Sequence, residues 1–199
     1  MQYELTTPCT AADLAPLKAG DTVLLSGVVY TARDQAHKRM LEALDKGEKL
    51  PFDLEGSAID YVGPTPERPG EVIGSAGPTT SGRMDAMSPR LLDLGNKIMI
   101  GKGKRDAAVK EAVVRNGAVY LAALGGAGAL MAQSVQTLEV IAWPDLGCEA
   151  VRRLTVEKMP LTVILDANGG DLSEAGPAAH PETVKCTNCD RWTWFASTH

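Results

Sequence analysis

Aromatic residues are scarce in this 199-residue chain, at 5%, too few for a platform on which nucleobases stack. A basic excess is also missing: 20 Lys and Arg stand against 25 Asp and Glu, a formal net charge of -5. Proteins built around polyanions carry a basic surplus or stripe, so the composition argues against nucleic acid as a partner and leaves room only for a small local cluster of cations. No apolar run has the length of a membrane span, since the most apolar stretch, 118–132, is short and rich in glycine. The first ten residues hold Glu4 and Pro8 and no basic segment followed by an apolar one, so no export signal is read there. Cysteine is limited to Cys9, Cys148, Cys186 and Cys189, a scatter unlike a disulfide framework, which makes a cytoplasmic location the expectation.

What is present is an ordinary globular composition, 44% hydrophobic and 23% charged, in a chain long enough to bury a core without a staple. Residues 22–31 (TVLLSGVVYT) read as a strand and 33–45 as a helix with Ala36, Met40, Leu41 and Leu44 at helical spacing. Short strands are expected at 58–62 and 71–74, a helix at 81–94, a strand at 97–100 and a helix at 105–115 stopped by Asn116 and Gly117. Strands at 119–124, 138–143 and 161–165 and a helix at 128–136 complete an alternation that signifies an α/β domain. That domain spans 1–173; residues 174–199 form a polar, irregular tail containing a CxxC and two Trp.

Chemistry concentrates at three strand-to-helix junctions, where open α/β sheets bind ligands. In GPTTSGRMD (77–85), Thr79, Thr80 and Ser81 run into an expected helix start with Arg83 close behind, and Asp85 follows. Free N–H groups and the helix dipole suit an anion there, and three hydroxyls exceed what capping requires. In TARDQAHKR (31–39), Arg33 and His37 lie four residues apart; for His37 a structural hydrogen bond and a chemical role are both open, while Lys38 and Arg39 read as solvated. In GKGKR (101–105), glycines flank Lys102 and could let a ligand approach the backbone, although a solvated basic turn has the same spacing. This is no P-loop, because GxxxxGK[ST] is absent. Gly125, Gly126, Ala127 and Gly128 read as close strand–helix packing, and Cys148 as a small buried residue. Cations at three such turns in an acidic protein favour a small dianion such as a dicarboxylate. Cys186 and Cys189 have metal-ligand spacing without a full ligand set, and the neighbouring Trp192, Trp194 and Phe195 could equally pack on the domain or on a partner.

TARDQAHKRM, YVGPTP, GPTTSGRMD, IGKGKR, YLAALGGAGAL and DLGCEA occur here in one order, and together they resemble the C-terminal domain or separate β subunit of class I iron–sulfur fumarases and the related L(+)-tartrate dehydratases. The likeness covers most of residues 1–172, and the tail lies outside it. It implies a swivelling β/β/α domain that closes over a partner. That partner, an α subunit in an α2β2 or similar assembly, carries a four-iron, four-sulfur cluster through its own cysteines. The resemblance further implies that Thr79 is the base, that Arg33 and Arg83 bind carboxylates, that Arg83 assists catalysis, and that Lys102 and Thr80 contact substrate. His37, Ser81 and Asp85 are further candidates. The activity so implied is reversible hydration of fumarate to malate. The alternatives are tartrate dehydration and a non-catalytic small-anion-binding domain of the same fold.

Overall fold

Two long strands organise the chain. In a computed structural model that describes residues 1–123 and 128–179, β2 (Thr22–Thr31) and β7 (Val151–Leu165) run antiparallel, with Thr22 opposite Thr162 and Thr31 opposite Arg152. The other edge of β2 takes β1 (Gln2–Thr6) along its first half and β3 (Ala58–Asp60) at Tyr30 and Thr31. From β3 the sheet continues in parallel through β4 (Ile98–Gly101) and β5 (Val119–Ala122). Then β5 turns against the end of β7, with Tyr120 opposite Leu165. The path β2-β3-β4-β5-β7-β2 therefore closes into a barrel-like ring, which β1 and β6 (Val135–Ala142) extend at its flanks. The Gly125-Gly126-Ala127 packing, the CxxC and the Trp pair lie outside the described residues.

Alternation along the strands divides their side chains between two cores. Ala58, Ile98, Ile100, Val119 and Leu121 join Val23, Leu25, Leu154 and Leu161 in one. Their neighbours Ile59, Met99 and Tyr120 join the second, which is closed by helices α2 (Asp34–Asp45), α3 (Ser88–Asp93) and α4 (Ala107–Asn116) through Met40, Leu91, Leu92 and Val109. The remaining helices are α1 (Ala11–Leu14), α5 (Gly128–Gln133) and α6 (Leu172–Ala179). Sequence signals hold locally at α4: Asp106 caps its first turn by accepting from the Val109 N–H at 2.9 Å, and Gly117 ends it in the left-handed region at φ 58°. Among the described residues no helix is long and apolar enough to cross a membrane.

The structure corrects several sequence expectations. Residues 81–94 form a single 3-10 turn, Ser81–Met84, then α3, whose start carries Pro89. Residues 71–74 form no strand. Only 161–165 of β7 reads as strand in the sequence, because Pro160 lacks an N–H; Lys158 adopts φ 48° where the pairing with β2 shifts register between Val156 and Met159. Both sit where the second edge of β7 has no neighbour: pairing with β6 ends at Val156, and pairing with β5 begins at Thr162.

Candidate functional site

The C-terminal ends of β2, β3 and β4 lie side by side because these strands are parallel neighbours. Residues 78–81 wedge between the last two. Pro78 faces Val62, the Thr79 N–H donates to Tyr61 O at 2.8 Å, and the Ser81 N–H donates to Lys102 O at 2.9 Å. Thr80 pairs with Lys102. Two of the three candidate segments thus share one rim. Thr79 is half-buried, while Thr80, Arg83 and Lys102 are exposed. Among the described residues neither Arg83 nor Lys102 forms an ion pair.

Arg33 reaches this rim from the β2 side. It precedes α2 as its N-cap and packs on Gly63, where a Cβ would stand 2.9 Å from an Arg33 nitrogen. Its guanidinium lies 3.5 Å from Glu149 and 3.7 Å from Asp34, beyond good hydrogen bonds, and its buried Nε has no partner. An arginine paired this loosely keeps capacity for a further carboxylate.

The remaining candidates are held by the protein itself. His37 is buried and its Nδ1–H donates to Arg33 O at 2.9 Å. Burial holds the ring down to about 4, so it is neutral at physiological pH. Asp85 accepts from Arg105 Nε at 2.6 Å and from the Asp106 N–H at 2.8 Å. Ser81 is fully buried, and a Cβ on Gly101 would lie 1.9 Å from its Oγ, so that glycine makes room for Ser81 and not for a ligand. The expected helix-dipole contribution is also corrected: Ser81–Met84 is one 3-10 turn, and Thr80 makes no side-chain cap. Arg39 is not free, since it pairs with Asp145 at 2.9 Å. Cys148 is exposed on the 3-10 segment Pro144–Glu149, contrary to the expectation of burial.

Three residues at or beneath the rim, Arg105, Tyr120 and Glu149, carry little mark in the sequence. Arg105 is sealed from solvent between the rings of Tyr61 and Tyr120, at 5.3 and 5.0 Å, and also donates to Ser88 at 2.9 Å. Tyr120 reads as one more apolar strand residue, and Glu149 as one of many surface acids. Asp60 did leave a signal, as an acid inside the run AIDYV; it is buried with Oδ1 unpartnered, and burial pushes its carboxyl up to about 8.

The rim is open. Two clefts of about 450 and 460 Å³ flank the 63–77 loop, lined among others by Arg68, Ile73 and Gln133 on one side and by Pro64, Cys148 and Arg152 on the other. Thr79, Thr80, Arg83 and Lys102 line neither. Among the described residues no three His, Cys, Asp or Glu side chains gather to hold a metal. Cys9 is buried with its thiol pushed up to about 11, and Cys148 stands apart from it. The described residues therefore do not fit an iron–sulfur cluster.

Residues 1–176 match the family described as fumarase C-terminus. The chain is 35% identical over 180 residues to the aerobic class I fumarate hydratase of Escherichia coli (strain K12), covering 89% of this chain but 32% of that protein. It is 41% identical over 171 residues to a putative L(+)-tartrate dehydratase β subunit of Methanocaldococcus jannaschii, covering 83% of this chain and 88% of that one. It is 33% identical over 177 residues to the L(+)-tartrate dehydratase β subunit of Escherichia coli (strain K12), covering 86% and 87%. The chain thus spans about a third of the fumarate hydratase and nearly all of either β subunit. These matches place the chain in the fumarase C-terminus family.

Proposed function

We propose that this chain is the β subunit of a two-subunit hydro-lyase that hydrates fumarate to malate, swivelling over a cluster-bearing α subunit and supplying the base and the dicarboxylate-binding cations. The observation that carries this reading is the joining of the 78–81 segment to the Lys102 turn, which sets two cations without an ion pair among the described residues and two threonine hydroxyls on one open rim. Arg33 approaches from the adjoining strand. An open rim suits a site completed by a second surface. Near-complete coverage of two β subunits supports a separate polypeptide in the same role.

In this reading Arg33 and Arg83 hold the two carboxylates, and Thr80 and Lys102 fix one end of the substrate. Thr79 Oγ passes a proton to the carbon beside a carboxylate, hydroxide adds to the neighbouring carbon, and one water supplies both. A threonine hydroxyl is a weak base, so the reverse proton abstraction depends on stabilising the charge that builds on the carboxylate. Arg83 and Lys102 are the cations that supply that stabilisation in this reading.

A second reading, an L(+)-tartrate dehydratase β subunit, is favoured by the 41% identity to the Methanocaldococcus jannaschii protein of that description. Both substrates carry two carboxylates, and the rim residues named here serve either. The deciding experiment is anaerobic fumarate hydration by the chain alone and after reconstitution with the partner, with tartrate dehydration alongside. Activity on fumarate only in the mixture is expected. Activity on tartrate alone moves the chain to the second reading, and no activity on either substrate with a loaded partner refutes both.

A further inference from the structure

Lys102 stands on an exposed turn between two glycines, with Gly103 in the left-handed region at φ 88°. Such a turn has little of its own to hold it. Beneath it lie two fully buried hydroxyls, Ser81 and Tyr120, 2.9 Å apart. The Lys102 N–H donates to Ser81 Oγ at 3.0 Å, and Tyr120 OH reaches Gly103 O at 3.0 Å.

Proton accounting fixes the direction of this chain. A carbonyl only accepts, so the Tyr120 proton goes to Gly103 O. The Ser81 proton must then go to the Tyr120 oxygen, leaving a Ser81 lone pair for the Lys102 N–H. The path leaves the turn at Lys102 N and returns to it at Gly103 O, with each hydroxyl donating once and accepting once. The Ser81 N–H also donates to Lys102 O, so the same serine ties the turn to the segment bearing Thr79 and Thr80. Arg105 lies under the Tyr120 ring, itself anchored by Asp85, which fixes the phenol from below. Gly101 belongs to the device, because any side chain there would displace Ser81.

We infer that Tyr120 is a positioning residue for Lys102, acting through Ser81 and the Gly103 carbonyl to hold the lysine against a dicarboxylate. This rests on the functional reading above for its substrate, but the positioning of the turn can be measured without it. In the enzyme assembled with its partner, Tyr120→Phe keeps the ring over Arg105 and is expected to lower kcat/KM for fumarate about tenfold, the scale of a small misplacement at a binding group. The same change added to Lys102→Ala is expected to cost nothing more. A purely structural hydroxyl would lower activity equally in both backgrounds. An unchanged kcat/KM in the single variant, or a further tenfold loss in the double variant, overturns the assignment.

Amide hydrogen exchange at Lys102 in the full chain alone gives the second measurement. It is expected to quicken at least tenfold in Tyr120→Phe, and an unchanged rate overturns the inference whatever the enzyme does. If the assembled wild type turns over neither fumarate nor tartrate, the functional reading fails. Quickened exchange then still supports the hold on the turn.

Discussion

Asp60 makes the stability of this protein depend on pH in a way that can be worked through. Its carboxyl is buried on β3, burial pushes it up to about 8, and the unfolded chain releases the same proton near 3.8. Between those values the folded state holds a proton that the unfolded state has lost, so stability falls as pH rises. His37 works in the opposite sense, because burial takes it from 6.5 to about 4 and its contribution is lost as pH drops through that range. From pH 4 to 6.5 the two slopes oppose each other, and from 6.5 to 8 Asp60 acts alone. At about 1.4 kcal/mol per pH unit, the wild type should lose about 2 kcal/mol between pH 6.5 and 8, a sizeable part of the 5–15 kcal/mol typical of a domain. Urea unfolding under reducing conditions should show the midpoint falling by about 1 M over that range. In Asp60→Asn the fall should vanish, whatever the variant's stability at pH 6.5. Parallel curves for wild type and variant above pH 6.5 would falsify the account.

Thr79→Ala should cut turnover by about 10² to 10⁴, the usual worth of a positioned acid or base, while assembly with the partner, read by size-exclusion chromatography, stays intact; near wild-type turnover removes Thr79 from the mechanism. Arg33→Ala should raise KM for the dicarboxylate at least tenfold, in keeping with the 1.5–3 kcal/mol of a charge-assisted hydrogen bond. Glu149→Gln should lower KM by up to about fivefold, since it removes a competing carboxylate 3.5 Å from Arg33; a raised KM would mean that Glu149 orients the arginine instead. Asp85→Asn leaves the Arg105 guanidinium buried without its counter-charge and should cost about 3–5 kcal/mol in thermal or urea unfolding. An unchanged midpoint in that variant contradicts the description of Arg105 as sealed.

The alternating strands and α2 and α4 were legible in the sequence because their signals are local: branched aliphatic runs, helical spacing of Ala36 and Met40, and Gly117 at a helix end. The full length of β7 was not, since Pro160 breaks the strand pattern; it lies opposite Leu24 of β2, between the described pairings of the other edge with β6 and β5, and Lys158 sits where the register with β2 shifts. Thr79, Thr80 and Arg83 on one segment and Lys102 on another were each legible as strand-end candidates, and their meeting on one rim comes from the pairing of Thr80 with Lys102. That Ser81 faces inward was not legible, because it depends on the missing Cβ of Gly101 in another strand. Arg105 and Tyr120 were hidden for the same reason. A basic residue after GKGK reads as solvated, and its burial is set by Asp85, Ser88 and two tyrosines drawn from separate segments. The expected helix at 81–94 failed where Pro89 restarts the chain after a 3-10 turn.

The seam between β2 and β7 also dictates when the molecule can form. Thr22 finds its partner only at Thr162, and Val29 only at Leu154, so one edge of β2 waits unpaired until most of the chain has left the ribosome. The parallel run from β2 to β5, with its helices, is complete by Ala122 and can gather earlier. Ring closure is a contact of high sequence separation and belongs to the slow class of folding events. A nascent chain halted before Val151 presents the apolar edge of β2 to other chains. The strand that completes the ring is therefore also the one that ends the chain's exposure to aggregation.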